Sequence, residues 1–221
     1  MAFDPSKFTV RASKPLPVIL MLDTSGSMSG EKIQSLNDAV REMLKVFADS
    51  CKLETEILVS VVTFGPVEVK IPFTSAANLN WQDLYVTGDT PIGEALRVTK
   101  SLIEDRNIVP SRAYRPTVVL VSDGCPTDSW KTALKEFVSE GRSSKCDRMA
   151  MAIGYDADAD MLGRFIEGTG HGLFTAADAS QISDFFKFVT MSVTTRTQSK
   201  NPNDIPNIAM PSSKNTNGDD F

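Results

Sequence analysis

The sequence predicts an α/β domain built on a doubly wound, mostly parallel central sheet with helices on both faces. Two short apolar runs, residues 16–22 (LPVILML) and 117–122 (TVVLVS), have the length of strands but lack the alternation of a half-exposed sheet. They read as central strands covered on both sides. Amphipathic helical spacing recurs between the strands, and alternating strands and helices imply crossover connections with parallel pairing. Each run also stops at an acid, Asp23 or Asp123, at the strand end where open α/β sheets gather their ligands.

Residues 1–14 mix Pro, Ser and charge without a sustained period and are expected to form an N-terminal arm, with one short extended piece at 8–11. The domain is expected over 15–196. From 31 to 49, Ile33, Leu36, Val40, Met43, Leu44 and Phe47 recur every three or four residues, as in a helix lying on the sheet. Residues 56–64 (EILVSVVTF) are β-branched and apolar. After Gly65-Pro66, residues 67–73 alternate Val67, Val69 and Ile71 with charge, which gives a hairpin with an exposed edge. Thr90 is expected to cap the next helix, with Pro91 in its first turn and Ile92, Ala95, Leu96, Thr99, Leu102 and Ile103 facing inward.

Downstream, Thr127 or Asp128 is expected to cap a helix that runs through Phe137 and Val138 to Gly141, and residues 148–154 (RMAMAIG) supply another strand. Trp130 reads equally well as core or contact surface. A short helix at 160–167, a short strand at 172–175 and a final helix follow. In that last helix Ile182, Phe185, Phe186, Val189 and Val193 face the core, and Phe188 is expected to be exposed. Residues 197–221 are rich in Asn, Ser, Pro and Lys with scattered apolar residues, and are expected to be a flexible tail. Ser199, Ser212, Ser213 and Thr216 are available there for phosphorylation.

Composition narrows the function. Of 221 residues, 41% are hydrophobic and 23% charged, enough for a core and too little charge for a disordered chain. A net charge of −5 speaks against nucleic acid or an anionic membrane as partner, since phosphate binding needs clustered Lys and Arg. No window approaches the roughly 20 apolar residues of a membrane span, and no basic stretch followed by an apolar core opens the chain, so a cytoplasmic protein is expected. Cys51, Cys125 and Cys146 are odd in number and irregular in spacing, as reduced thiols would be. The single histidine, His171, excludes a His cluster and fits a turn or strand edge.

The chemistry concentrates after the first apolar run, in Asp23-Thr24-Ser25-Gly26-Ser27-Met28, where an acid and two hydroxyls occupy alternate positions of a tight turn. Alone, these residues are the usual side chains of a helix cap. Thr90 on a second loop and Asp123 on a third change that balance, because both belong to loops expected at the same sheet end. The set Asp23, Ser25, Ser27, Thr90 and Asp123 offers only hard oxygen, suited to Mg²⁺ or Mn²⁺, with Ca²⁺ also admissible. Cys125 sits nearby, but a thiol is a poor ligand for such an ion and no histidine stands by to activate it.

Asp-Thr-Ser-Gly-Ser (23–27), Gly-Asp-Thr (88–90) and Ser-Asp-Gly (122–124) resemble the metal-ion-dependent adhesion site of von Willebrand factor A domains. The resemblance covers roughly residues 16–195 and implies the Rossmann-like fold of that family. It also implies Ser25, Ser27 and Thr90 as metal ligands, Asp23 and Asp123 ligating directly or through water, and a protein partner whose acidic side chain completes the metal shell. Residues 90–96 (TPIGEAL), 123–128 (DGCPTD) and Trp130 further resemble the bacterial TerY-type domains of tellurite-resistance and stress operons. That likeness implies an adaptor working with a protein kinase and a PP2C-type phosphatase. Asp89 departs from the family pattern by standing where Gly precedes the metal-facing threonine.

An enzyme is not expected. A haloacid-dehalogenase-type phosphohydrolase would carry a second Asp where Ser25 stands, and the aspartic-protease motif is interrupted by the same residue. No phosphate loop or dinucleotide fingerprint is present. A structural subunit with an empty site is the remaining alternative, opposed by the presence of all five oxygen-bearing residues. No soft-ligand cluster suits tellurite itself, so a link to it would be indirect.

Overall fold

A computed structural model describes residues 13–51 and 55–211. The short extended piece expected at 8–11 lies outside them. Ten consecutive residues, all but the first buried, form β1 (Lys14–Asp23), and α1 (Glu31–Ser50) follows after a single 3₁₀ turn at Gly26–Met28. The hairpin is β2 (Thr55–Phe64) and β3 (Glu68–Ser75), the latter exposed on alternate residues as an edge strand should be. Then come α2 (Ile92–Glu104), β4 (Thr117–Ser122), α3 (Trp130–Ser139), β5 (Asp147–Ile153), α4 (Ala159–Ile166), β6 (Phe174–Ala176) and α5 (Ala179–Gln198).

The six strands lie in the order β3-β2-β1-β4-β5-β6, with only β3 antiparallel. This is the doubly wound α/β fold, and its topology switches direction between β1 and β4. Leu16, Val18, Leu20 and Leu22 point to one face, where α1 and α5 pack, while Ile19 and Met21 point to the other, under α2, α3 and α4. Each fully buried aliphatic side chain contributes about 1.5–3 kcal/mol, so β1, apolar on both faces, anchors both layers at once. Among the described residues, no helix is long and apolar enough to cross a membrane.

Several local expectations change. Thr90 does not cap α2: Pro91 holds the N-cap position, and the Asp128 carboxylate, reaching over from the loop before α3, accepts hydrogen bonds from the Gly93 and Glu94 amides at 2.9 and 2.8 Å. Asp128 is therefore a cap of α2 rather than of α3, whose own N-cap is Ser129. Trp130 is half-buried against the core of that face.

Phe188 is buried, 2% exposed, with its ring edge-on to His171. The reason is that α5 packs against both α1 and the chain leading to β6, which widens its buried arc beyond one stripe. His171 precedes β6 in a loop. At the other end, α5 continues past the expected boundary to Gln198, and residues 199–211 lie back on the domain. Pro202 supplies a carbonyl to Arg196, Asn203 accepts from the Arg115 amide, and Ile208 and Met210 pack against the core.

Candidate metal centre

Asp23 ends β1 and Asp123 follows β4, so the switch in topology sets two carboxylates side by side at the carboxyl edge of the sheet. Both are buried, at 0% and 1% exposure. Asp23 Oδ1 accepts from the Ser25 amide at 2.8 Å, which folds the turn back on itself, and Oδ2 accepts from the Ser122 hydroxyl at 2.6 Å. Ser25 Oγ and Ser27 Oγ lie 3.0 Å apart, and Ser27 Oγ donates to Asp123 Oδ1 at 2.7 Å. A Cβ placed on Gly124 would fall 3.5 Å from Thr90 Oγ1 and 3.8 Å from Ser27 Oγ, so both hydroxyls flank that glycine. All five sequence-predicted residues thus meet at one place, and Ser27 is the exposed one among them.

The segment carrying Thr90 has no helix or strand between residues 79 and 91, yet it is tied down at four points. Buried Asn37 of α1 brackets Leu84, its amide group donating to the carbonyl at 3.0 Å and accepting from the N–H at 2.8 Å. The Thr87 amide donates to Thr24 O at 2.7 Å, and the Gly26 amide to Gly88 O at 3.2 Å. Gly65, at φ +122°, sits where any Cβ would come within 2.7 Å of Thr87 O, 2.8 Å of Asp89 O and 2.9 Å of Ser25 N. Only glycine lets the hairpin, the first loop and the Thr90 loop close on one another. The Thr90 amide also donates to Thr127 Oγ1, joining the third loop. Asp89 is exposed.

Burial pushes the Asp23 carboxyl above the ordinary carboxylate range. The hydrogen bonds from Ser122 and Ser25 oppose that rise, and the neighbouring charge of Asp123 adds to it. One cation answers this crowding of oxygen: Lys32 Nζ lies 2.6 Å from Asp123 Oδ2. Ligands at about 2.1 Å in an octahedral shell stand roughly 3 Å apart along each edge. The Ser25–Ser27 spacing of 3.0 Å and the Ser27–Asp123 spacing of 2.7 Å, both hydrogen bonds here, are near that value, so the oxygens stand at spacings that a hard divalent ion also requires. Among the described residues no three His, Cys, Asp or Glu side chains cluster as a metal-holding group. The oxygens gathered at the cradle are those of two carboxylates and the neighbouring hydroxyls. That chemistry suits Mg²⁺ or Mn²⁺.

Sequence reasoning missed Ser122, Asn37, Gly65 and Lys32. Ser122 had one signal, a hydroxyl closing an otherwise apolar strand, and Gly65 had another, a Gly-Pro step after β2. Lys32 had none, since a lysine in the first turn of an amphipathic helix reads as solvated surface.

Residues 18–126 match the family described as von Willebrand factor type A domain. The chain is similar to inter-alpha-trypsin inhibitor heavy chain H4 of Sus scrofa, 25% identical over 188 residues, 79% of this chain and 20% of that protein. It therefore spans about a fifth of the length of that curated relative. Its fold is similar to that of the von Willebrand factor type A protein from Catenulispora acidiphila, with TM-score 0.61 and 18% identity, covering 81% of this chain and 42% of that one. It is also similar to proximal thread matrix protein 1 of the mussel byssus, a structure with a zinc-occupied metal-ion-dependent adhesion site, at TM-score 0.58 and 15% identity, covering 81% and 48%. The matched segment and the strand order agree with the fold of the von Willebrand factor type A domains to which the chain is similar.

Proposed function

We propose that this chain is a metal-dependent protein-binding module that captures an acidic side chain of its partner. The observation that carries the reading is the run of oxygens from Ser25 through Ser27 to Asp123, spaced like ligand edges, with Thr90 beside it. Ser25, Ser27 and Thr90 would hold the ion, with Asp23 and Asp123 ligating or orienting its water. The ion, Mg²⁺ or Mn²⁺ by the donor chemistry, supplies an electrophilic centre for a carboxylate. The protein's own part is to keep the hydroxyls in place through Asn37 and Gly65 and to present a rim. Tyr85, 84% exposed, and Tyr155, 97% exposed, stand on loops at this edge of the sheet, the kind of aromatic surface that protein contacts favour.

Binding rather than catalysis follows from the same geometry. Asp23, the only acid placed as a phosphohydrolase nucleophile would be, is fully buried with both oxygens engaged. No histidine is near the cradle, since His171 pairs with Asp147 instead. The finer setting, a bacterial stress or tellurite-resistance complex with a kinase and a PP2C-type phosphatase, is supported by the motif resemblance of residues 90–96 and 123–128 alone.

The test is thermal unfolding of wild type and Asp23→Ala in EDTA, Mg²⁺ and Mn²⁺. At a hundred times Kd a native-state ligand adds about 2.7 kcal/mol of stability. Wild type is expected to shift upward with metal and Asp23→Ala to lose the shift while staying folded. Equal metal response in the two proteins overturns the reading. A pull-down in Mg²⁺ against EDTA then tests for partners.

A further inference from the structure

Lys32 is the charged group that the cradle's own chemistry leaves unexplained. Asp123 is 1% exposed, and both of its oxygens are taken: Oδ1 by the Ser27 hydroxyl at 2.7 Å and Oδ2 by Lys32 Nζ at 2.6 Å. The same ammonium lies 3.4 Å from Ser27 O, so it spans the side of the cradle on which the exposed serine stands. Lys32 comes from the first turn of α1, where a cation is opposed by the helix dipole rather than favoured by it. Its side chain is 37% exposed, against 0% for that of Asp123. One partner of the pair is fixed by the fold, and the other hangs on a flexible stem that reaches water.

From this arrangement we infer that Lys32 is a built-in competitor for the metal: its ammonium holds Asp123 until a divalent ion displaces it. The inference rests on the metal-binding reading above and adds regulation of that same site. An ammonium against Asp123 neutralises a carboxylate that the ion needs and repels a second positive charge brought beside it. The ion can load only from the fraction of molecules in which the lysine has swung out, and apparent affinity falls in proportion to that fraction. The displaced ammonium remains at the rim, where an incoming acidic segment meets it. A partner's carboxylate would therefore favour the loaded state twice, at the ion and at Lys32, and by linkage metal would favour the partner equally.

The experiment measures Mn²⁺ affinity of the full chain by the electron paramagnetic resonance signal of free Mn²⁺, for wild type, K32M, K32Q, K32R and D123N. K32M and K32Q are expected to bind up to about fivefold more tightly, the discount that a partly exposed ion pair of ordinary strength imposes on a competing ligand. K32R keeps the charge and is expected to stay within about twofold of wild type. D123N is expected to bind more weakly than wild type. Circular dichroism and the unfolding temperature in EDTA confirm that the variants compared are folded. Equal or weaker Mn²⁺ binding by folded K32M and K32Q overturns the competitor role while leaving the metal site standing. Absence of Mn²⁺ binding in every variant and in wild type overturns the metal reading and this inference with it.

Discussion

The two ends of the central sheet bury charge in opposite ways. At the amino end, Arg196 of α5 is 0% exposed, yet its guanidinium donates to Pro202 O at 2.7 Å, to Thr117 Oγ1 at 2.6 Å and to Arg115 O at 2.6 Å, with Asp147 4.0 Å away. Asp147 in turn has His171 Nε2 at 2.8 Å. Burial pushes Arg196 down to about 10, so it stays charged at neutral pH, with three oxygen acceptors and the Asp147 carboxylate turned to that charge and the Arg115 cation opposing it. At the carboxyl end, two buried carboxylates face four hydroxyls, those of Ser25, Ser27, Thr90 and Ser122, and one partly exposed lysine. The first network is complete within the protein. The second also pairs its carboxylate oxygens, but two carboxylates there have one lysine beside them, and that lysine reaches water, so its charge is balanced less firmly than at the amino end.

The strongest test of this contrast is Arg196→Met. Removing one member of a buried, hydrogen-bonded ion network typically costs about 3–5 kcal/mol, because the partners stay buried without it. Urea unfolding should show that loss at the amino end with the metal response unchanged. A metal response that vanished together with the stability would show that the two ends are not independent. Asp128→Ala comes next, with an expected loss of about 1–2 kcal/mol, since one carboxylate caps two amides of α2. Because Asp128 shares its loop with Thr127, which holds the Thr90 amide, this variant should also weaken metal binding. Unchanged affinity would separate the cap from the cradle.

The smallest effect is read by the cysteines. Cys125 is exposed at the carboxyl end, while Cys146 is 4% exposed just before β5 at the other. Burial pushes the Cys146 thiol up to about 12, the charge of Arg148 only partly offsetting it. In the folded protein at pH 8, a disulfide reagent should label Cys125 readily and reach Cys146 only after unfolding. The sign for stability follows. An unfolded thiol ionises near 9.0 while the folded one keeps its proton to about 12, so stability falls as pH rises through that window, and Cys146→Ser should flatten the decline.

The sheet and its helices were legible because their signals are periodic and local: apolar runs on β1 and β4, and three-and-four spacing on α1 and α2. The core of the candidate site was legible for a similar reason, since Asp23, Ser25 and Ser27 lie within five residues after a strand. What stayed hidden is set by contact across the chain. Thr90 looked like a cap because Thr before Pro favours helix starts, but the amides of α2 go to Asp128, some 35 positions later. Phe188 looked exposed because helical spacing assumes one buried stripe, and α5 has two neighbours. Lys32 and Asn37 meet Asp123 and Leu84 only in the folded state, and neither carries a local pattern that would announce it.

The hydrogen bond from Ser27 to Asp123 joins residues 96 positions apart, and that from Ser122 to Asp23 joins residues 99 apart. No stretch of the first hundred residues can build the cradle by itself, and closing so long a loop is unfavourable until β4 docks beside β1. A chain still emerging from the ribosome, or one cut between these loops and parted, lacks the cradle. The site as a whole is therefore written across the stretch from Asp23 to Asp123 yet exists only once both loops have been made and docked.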